Sequence, residues 1–203
     1  MYFSTRYLTA RAGQVPSMLG TIGDRLPALN LQGKLVACLY SEVGLLNRIL
    51  MIHAHETMAA LAEDQLVVTA EADAFGVAAT TEEATFDIFA GFPDTSLLAP
   101  GQHGPLYEVR TYAIKSNGIP PTHAAWAKVL ARRTGISDLL AVMHSVTGPT
   151  RFMHVWPYKS FEARAALRAQ AVAEGIWPPP GGILQIDTMQ SELFLPAPFS
   201  PAR

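Results

Sequence analysis

The chain has 203 residues, 49% of them apolar and only 16% charged, with a net charge of -2, a pI near 6.3 and a mean hydropathy of +0.18. That length allows one large domain or two small ones, and a charge content well below the usual ~25% predicts apolar surface buried between halves or against a second copy in a homo-oligomer. The lack of any Lys/Arg cluster argues against nucleic acid, the single Cys38 excludes an intrachain disulfide or a Cys-rich zinc site and fits a cytoplasmic setting, and no apolar run approaches the roughly 18–20 residues of a membrane span.

In chain order, Tyr2–Thr9 has strand character, and Pro16–Leu26 reads as a helix with proline in its first turn. Lys34–Ser41, with Cys38 in an apolar setting, and Arg48–Ala54 read as strands. Thr57–Thr69 is a second helix, and Thr85–Phe92 closes the first half. Asp94–Pro105 is rich in Pro, Gly and Ser and marks a boundary between residues 1–98 and 106–201. The second half repeats the order. It has a strand over Leu106–Ile114, a helix over Pro121–Thr134 ended by Gly135, and a hairpin of Leu139–Val146 and Arg151–Trp156 around Thr147–Gly148–Pro149. Ser160 is an N-cap for an Ala-rich helix reaching Glu174, and Ile183–Leu195 is the closing strand.

The repetition is visible residue by residue. Tyr2, Tyr7, Gly13 and Pro16 precede Tyr107, Tyr112, Gly118 and Pro121 by one constant interval, and Gly44 and Arg48 precede Gly148 and Arg151 by nearly the same one. A period this long means two copies of a small domain rather than a solenoid. Each copy reads βαββαβ, which gives a four-stranded antiparallel sheet with both helices on one face, the ferredoxin-like arrangement. The fold class is therefore α+β, two tandem ferredoxin-like units whose bare sheet faces pair into a pseudo-dimeric α+β barrel. Strand alternation divides β-residues between the two faces. On this reading Tyr107, Val109, Thr111 and Ala113 lie under helices. Glu108, Arg110 and Tyr112, with Phe152, His154 and Trp156, face the barrel interior.

The ordered set Tyr107–Glu108, Arg110–Thr111–Tyr112, Gly148, His154–Val155–Trp156–Pro157–Tyr158, Ser160, Arg164, Arg168, Trp177 and the tail Leu195–Pro201 resembles the NIPSNAP family of dimeric α+β-barrel domains. The first half resembles it only in layout and in Gly44–Arg48. There His53 stands for Trp156, His55 for Tyr158, Met51 for His154 and Thr5 for Arg110, and the family's usual Trp in the second strand is Leu39, or Met143 in the second half. The resemblance implies a sheet-to-sheet barrel but no settled reaction. Relatives of this fold include cofactor-free monooxygenases, isomerases, lyases and haem-degrading enzymes, and fold alone does not fix activity. No cofactor is expected.

Arg110, His154 and Tyr112 are the candidate catalytic residues, with Glu108, Trp156, His144 and Tyr158 as ligand contacts. A guanidinium can hold an oxyanion, an imidazole can move a proton near neutral pH, and a phenol can shape an apolar pocket. The same set could equally be a satisfied structural ion-pair network. His53 and His55 share one strand face but lack an evident carboxylate or Cys partner, so no metal is expected. Arg164 and Arg168, one helical turn apart, could grip an anion but read rather as solvated charges that cap or salt-bridge at the helix surface, with Glu162 a candidate partner, and Trp126 and Trp177 as packing residues. Asp87 and Glu192 match in the two closing strands and would pair with Arg6 or Arg110 or lie on a solvated edge. Two functions follow. One is a binder of a small apolar or anionic molecule, or a cofactor-independent enzyme acting on it. The other is a non-catalytic interaction or scaffold protein. A cavity of roughly 300 Å³ or more would favour the first, and a filled barrel the second.

Overall fold

The computed structural model describes residues 1–203. The first half contributes β1 (Tyr2–Ala10), α1 (Val15–Arg25), β2 (Lys34–Val43), β3 (Arg48–His55), α2 (Met58–Ala70) and β4 (Thr81–Gly91). The second contributes β5 (Leu106–Ile114), α3 (Ile119–Ala127), α4 (Leu130–Thr134), β6 (Ala141–Ser145), β7 (Arg151–Tyr158), α5 (Phe161–Ala173) and β8 (Ile186–Pro196). Expected and observed elements agree to within a few residues. The exception is the expected helix over Pro121–Thr134, which breaks at Lys128–Val129 into α3 and α4. The matching helices α2 and α5 are capped alike. Thr57 and Ser160 each accept a hydrogen bond from the backbone N–H three residues on. No helix is long and apolar enough to cross a membrane.

All eight strands form one closed antiparallel barrel in the order β1-β3-β2-β8-β5-β7-β6-β4. The halves meet along β2–β8 and β4–β6, so the barrel closes within a single chain. Its interior is filled by 18 buried residues, among them Phe3, Leu39, Leu50, Ile52, Phe89, Tyr107, Val109, Met153, Val155 and Phe194. Leu97 and Leu98 of the inter-half segment pack against this core. Two further apolar layers lie outside the barrel, between each sheet and its helices.

This corrects the expected facing of the strands. Tyr107 and Val109 point into the barrel, whereas Tyr112, Phe152, Trp156 and Tyr158 pack beneath the helices. The reason is solvation: the barrel offers no partner for a carboxylate or guanidinium at mid-height, while the helices can supply one, so the charged alternate set takes the helix side.

Ion pairs inside the barrel do form near one end, and they cross between halves. Arg48 on β3 donates to both oxygens of Glu192 on β8 at 3.1 and 3.2 Å. Arg151 on β7 makes a two-pronged contact with Asp87 on β4 at 2.9 and 2.6 Å. Asp87 and Glu192 thus find Arg151 and Arg48, not the expected Arg6 and Arg110, which point to the opposite sheet face. Gly44, at φ +122°, lies so close to the Glu192 side chain that a Cβ there would sit 2.7 Å from its Cγ.

Candidate functional site

Beneath α3 and α5 the second half carries the densest set of polar and aromatic groups in the molecule. β5 and β7 place Arg110 opposite His154 and Glu108 opposite Trp156. Glu108 is completely buried. Its Oε1 accepts from Arg164 Nη2 on α5 and from Ser191 Oγ on β8, both at 2.6 Å. Arg110 Nε lies 3.6 Å from the same oxygen, and Arg168 Nη1 is 3.9 Å from Oε2. Burial alone would raise the Glu108 carboxyl, but the bonds from Arg164 and Ser191 and the charges of Arg110 and Arg164 bring it below the ordinary range. Arg164 and Arg168, expected to be solvated, instead reach from α5 onto the sheet.

His154 is fully buried in an aromatic box. Its ring centroid lies 5.0 Å from Tyr112 and 4.8 Å from Trp126. Trp156 Nε1 donates to His154 Nδ1 at 2.5 Å, which places the ring proton on Nε2. Burial, reinforced by Arg110, Arg133 and Arg168, drops the imidazole well below its usual range and keeps it neutral. Tyr112 and Tyr158 are raised by burial and stay protonated. Arg133 was not foreseen. The helix break at Lys128–Val129 precedes α4, whose Arg133 is buried with its guanidinium 4.3 Å over the Trp156 ring and donates to Tyr158 Oη at 3.4 Å.

Against this layer opens a pocket of about 260 Å³, walled by Arg110, Arg168, Tyr112, Trp126 and Trp177 and roofed by Pro178, Pro179, Ile183 and Met189 among others. Of the expected site residues, Arg110 and Tyr112 line it. Glu108, His154, Trp156 and Tyr158 form its buried backing. His144 lies apart, packed on His123 of α3 at 4.9 Å. The roof was not legible beforehand, because Pro178–Ile183 reads only as a chain break.

Residues 107–201 match the family model described as NIPSNAP. The second half of the chain is thus similar to a NIPSNAP domain. It is 31% identical over 94 residues to Protein NipSnap homolog of Dictyostelium discoideum, an alignment covering 45% of this chain and 42% of that protein, so the chain spans less than half of that relative. Over nearly its whole length the chain has the fold of a candidate monooxygenase from Lactobacillus acidophilus NCFM. The TM-score is 0.70 at 12% identity, over 97% of this chain and 93% of that one. An anthrone oxidase-like protein matches at TM-score 0.63 and 10% identity, over 96% and 90%. At such identities the likeness is one of fold alone.

Set beside the second half, the first half shows the same frame closed up. Tyr2 pairs with His55 as Leu106 pairs with Tyr158, and Arg6 faces Met51 as Arg110 faces His154. The counterpart of Arg110 is therefore Arg6, one position on from the expected Thr5, which points into the barrel and is fully buried. Arg6 donates to Gln65 Oε1 at 2.6 Å and lies over the rings of Phe75 and Phe86. Burial lowers it to about 10. His53 and His55 lie under α2, and His55 does have a carboxylate partner. Asp64 Oδ2 is 3.0 Å from its Nε2, and the two Asp64 oxygens also accept from the backbone N–H of Gln32 and Gly33 at 2.8 Å. Gly33 is required there, since a Cβ would lie 2.2 Å from the His55 ring. Only about 20 Å³ of space remains.

Proposed function

We propose that the second half binds a small, largely apolar molecule in the pocket walled by Arg110, Tyr112, Trp126 and Trp177, and that the chain acts on it as a cofactor-independent enzyme of oxygenase, isomerase or lyase type. One observation carries the binding reading: Arg110, which lies 3.6 Å from Glu108 without hydrogen-bonding it, borders with Arg168 a 260 Å³ space whose other walls are mainly aromatic and aliphatic. Arg110 holds the polar end of the ligand, and Tyr112, Trp126 and Trp177 pack its body. His154 is a positioning residue. Its Nδ1 is occupied by Trp156 and it has no place in the pocket wall, so it fixes Tyr112 and Trp126 rather than touching substrate. The catalytic part of the reading draws on the described oxidative relatives of the same fold.

The test is native mass spectrometry of the purified protein with denaturing release of anything bound, followed by a small-molecule binding screen against wild type and Trp177→Ala. A released or newly bound compound whose affinity falls at least tenfold in Trp177→Ala supports the pocket. Protein that carries nothing and binds nothing overturns it.

The interaction-protein reading keeps a specific observation of its own, because the barrel interior is filled. The hairpin between β2 and β3 also exposes Leu45 and Leu46, each 61% accessible. That reading expects Leu45→Ser with Leu46→Ser to abolish capture of a defined partner while ligand binding in the pocket is absent.

A further inference from the structure

The charges around the pocket do not balance. Four guanidinium groups, Arg110, Arg133, Arg164 and Arg168, surround one carboxylate, Glu108. Arg164 takes Glu108 by a 2.6 Å bond, and Arg133 is spent on Tyr158 and the Trp156 ring. Arg110 and Arg168 approach Glu108 to 3.6 and 3.9 Å without hydrogen-bonding it. These two incompletely satisfied cations are the two that line the pocket. Arg110 Nε is buried and makes no hydrogen bond, with Glu108 Oε1 as its neighbour at 3.6 Å, an incomplete pairing that costs free energy.

The first half shows, within the same molecule, what such an arginine accepts. Arg6 occupies the place of Arg110, and its acceptor is Gln65 Oε1 at 2.6 Å. Gln65 sits seven residues after Met58, the first residue of α2; Arg168 sits seven after Phe161, the first of α5. One half therefore fills the position above its strand arginine with an oxygen of its own. The other puts a second cation there and leaves a space. The aromatic Phe75 helps close the first-half cavity, whereas Trp177 and Pro178 stand back as walls of the second.

Resting on the pocket reading above, we infer that the ligand of the second half is a monoanion, a carboxylate or like oxyanion bridging Arg110 and Arg168, carried on a flat aromatic body that lies against Trp126 and Trp177. Planar two-oxygen groups match guanidinium donors. The T-shaped Trp126–Trp177 pair, with centroids 4.9 Å apart, offers a ring face and a ring edge to such a body.

Isothermal titration of the full chain with 2-naphthoate and its neutral isostere 2-naphthamide, and with the smaller pair benzoate and benzamide, tests this. At least one carboxylate binds about tenfold or more tightly than its amide, as expected when a charged hydrogen-bonded pair is gained. Arg168→Gln copies the first half by giving Arg110 an internal acceptor. It removes that preference, with circular dichroism confirming the fold. An amide that binds as tightly as its acid overturns the anion inference and leaves the pocket reading standing. A preference that survives in both Arg168→Gln and Arg110→Gln also overturns it. Failure of all four compounds to bind overturns the anion inference, and with a blank result in the wider screen it overturns the pocket as well.

Discussion

The two halves share one backbone plan, one strand register and one barrel, yet the layers beneath their helices have opposite characters. Under α2 the helix brings the acid, Asp64, and the strand brings the base, His55, and the space between is sealed. Under α5 the strand brings the acid, Glu108, the helix brings Arg164 and Arg168, and a pocket remains. On the barrel side the halves scarcely differ, since both present apolar residues such as Leu50 and Ile52 or Met153 and Val155. The close-packed barrel interior is largely apolar, with its ion pairs confined near one end. A sheet–helix layer has a polar, adjustable wall, and it is there that one half has become filler and the other a candidate site.

The comparison can be broken most forcefully at its two buried acids. Glu108→Ala strands Arg164 and leaves Arg110 and Arg168 without a counter-charge. It should cost about 3–5 kcal/mol in urea denaturation. Asp64→Ala removes one imidazole and two backbone partners, and about 2–4 kcal/mol is expected. If Asp64→Ala proves the costlier of the two, the view of the second half as the more highly charged network is wrong.

Acid should act next. Burial lowers the His53 imidazole from 6.5 to about 4, helped by His55 and Arg6. Between those values the unfolded chain binds the proton and the folded chain does not, so this stability is whole above pH ~6.5 and is lost as pH falls toward 4. The loss is at most about 3 kcal/mol. His154 and Glu108, both depressed, act in the same direction. Denaturation midpoints at pH 7 and 4.5 measure the sum, and His53→Gln should shrink the difference. The smallest effects belong to the matched caps. Thr57→Ala and Ser160→Ala should each cost about 1 kcal/mol, and markedly unequal losses would show that the two helices are not held alike.

Much of the fold was legible in the sequence because strand and helix signals recur twice in one order. The facing of the strands was not. Alternation separates Glu108, Arg110 and Tyr112 from Tyr107 and Val109, but it does not say which set turns inward. That choice depends on where partners for the charges come from, and they come from α5 and β8, distant in sequence. Arg164 and Arg168 carried a usable signal: an acid on a central strand needs cations within reach, and one helical turn separates them. Reading them as solvated missed it. Arg6 was hidden because matching Tyr2 and Tyr7 to Tyr107 and Tyr112 sets an interval one residue too long for β1–β5, which only the pairing Tyr2–His55 against Leu106–Tyr158 reveals. The pocket itself was invisible, because it is defined by how far Pro178 and Ile183 stand from the sheet rather than by what they are.

The closing of the barrel within one chain has a bearing on stoichiometry. Two identical chains forming such a barrel would present two identical helix-side layers, and any site would come in pairs. Here the β2–β8 and β4–β6 seams join unlike halves, with Gln65 on Arg6 in one and open space beside Arg110 in the other. A titration should therefore saturate at one equivalent per chain, with a single affinity and no coupling between sister sites.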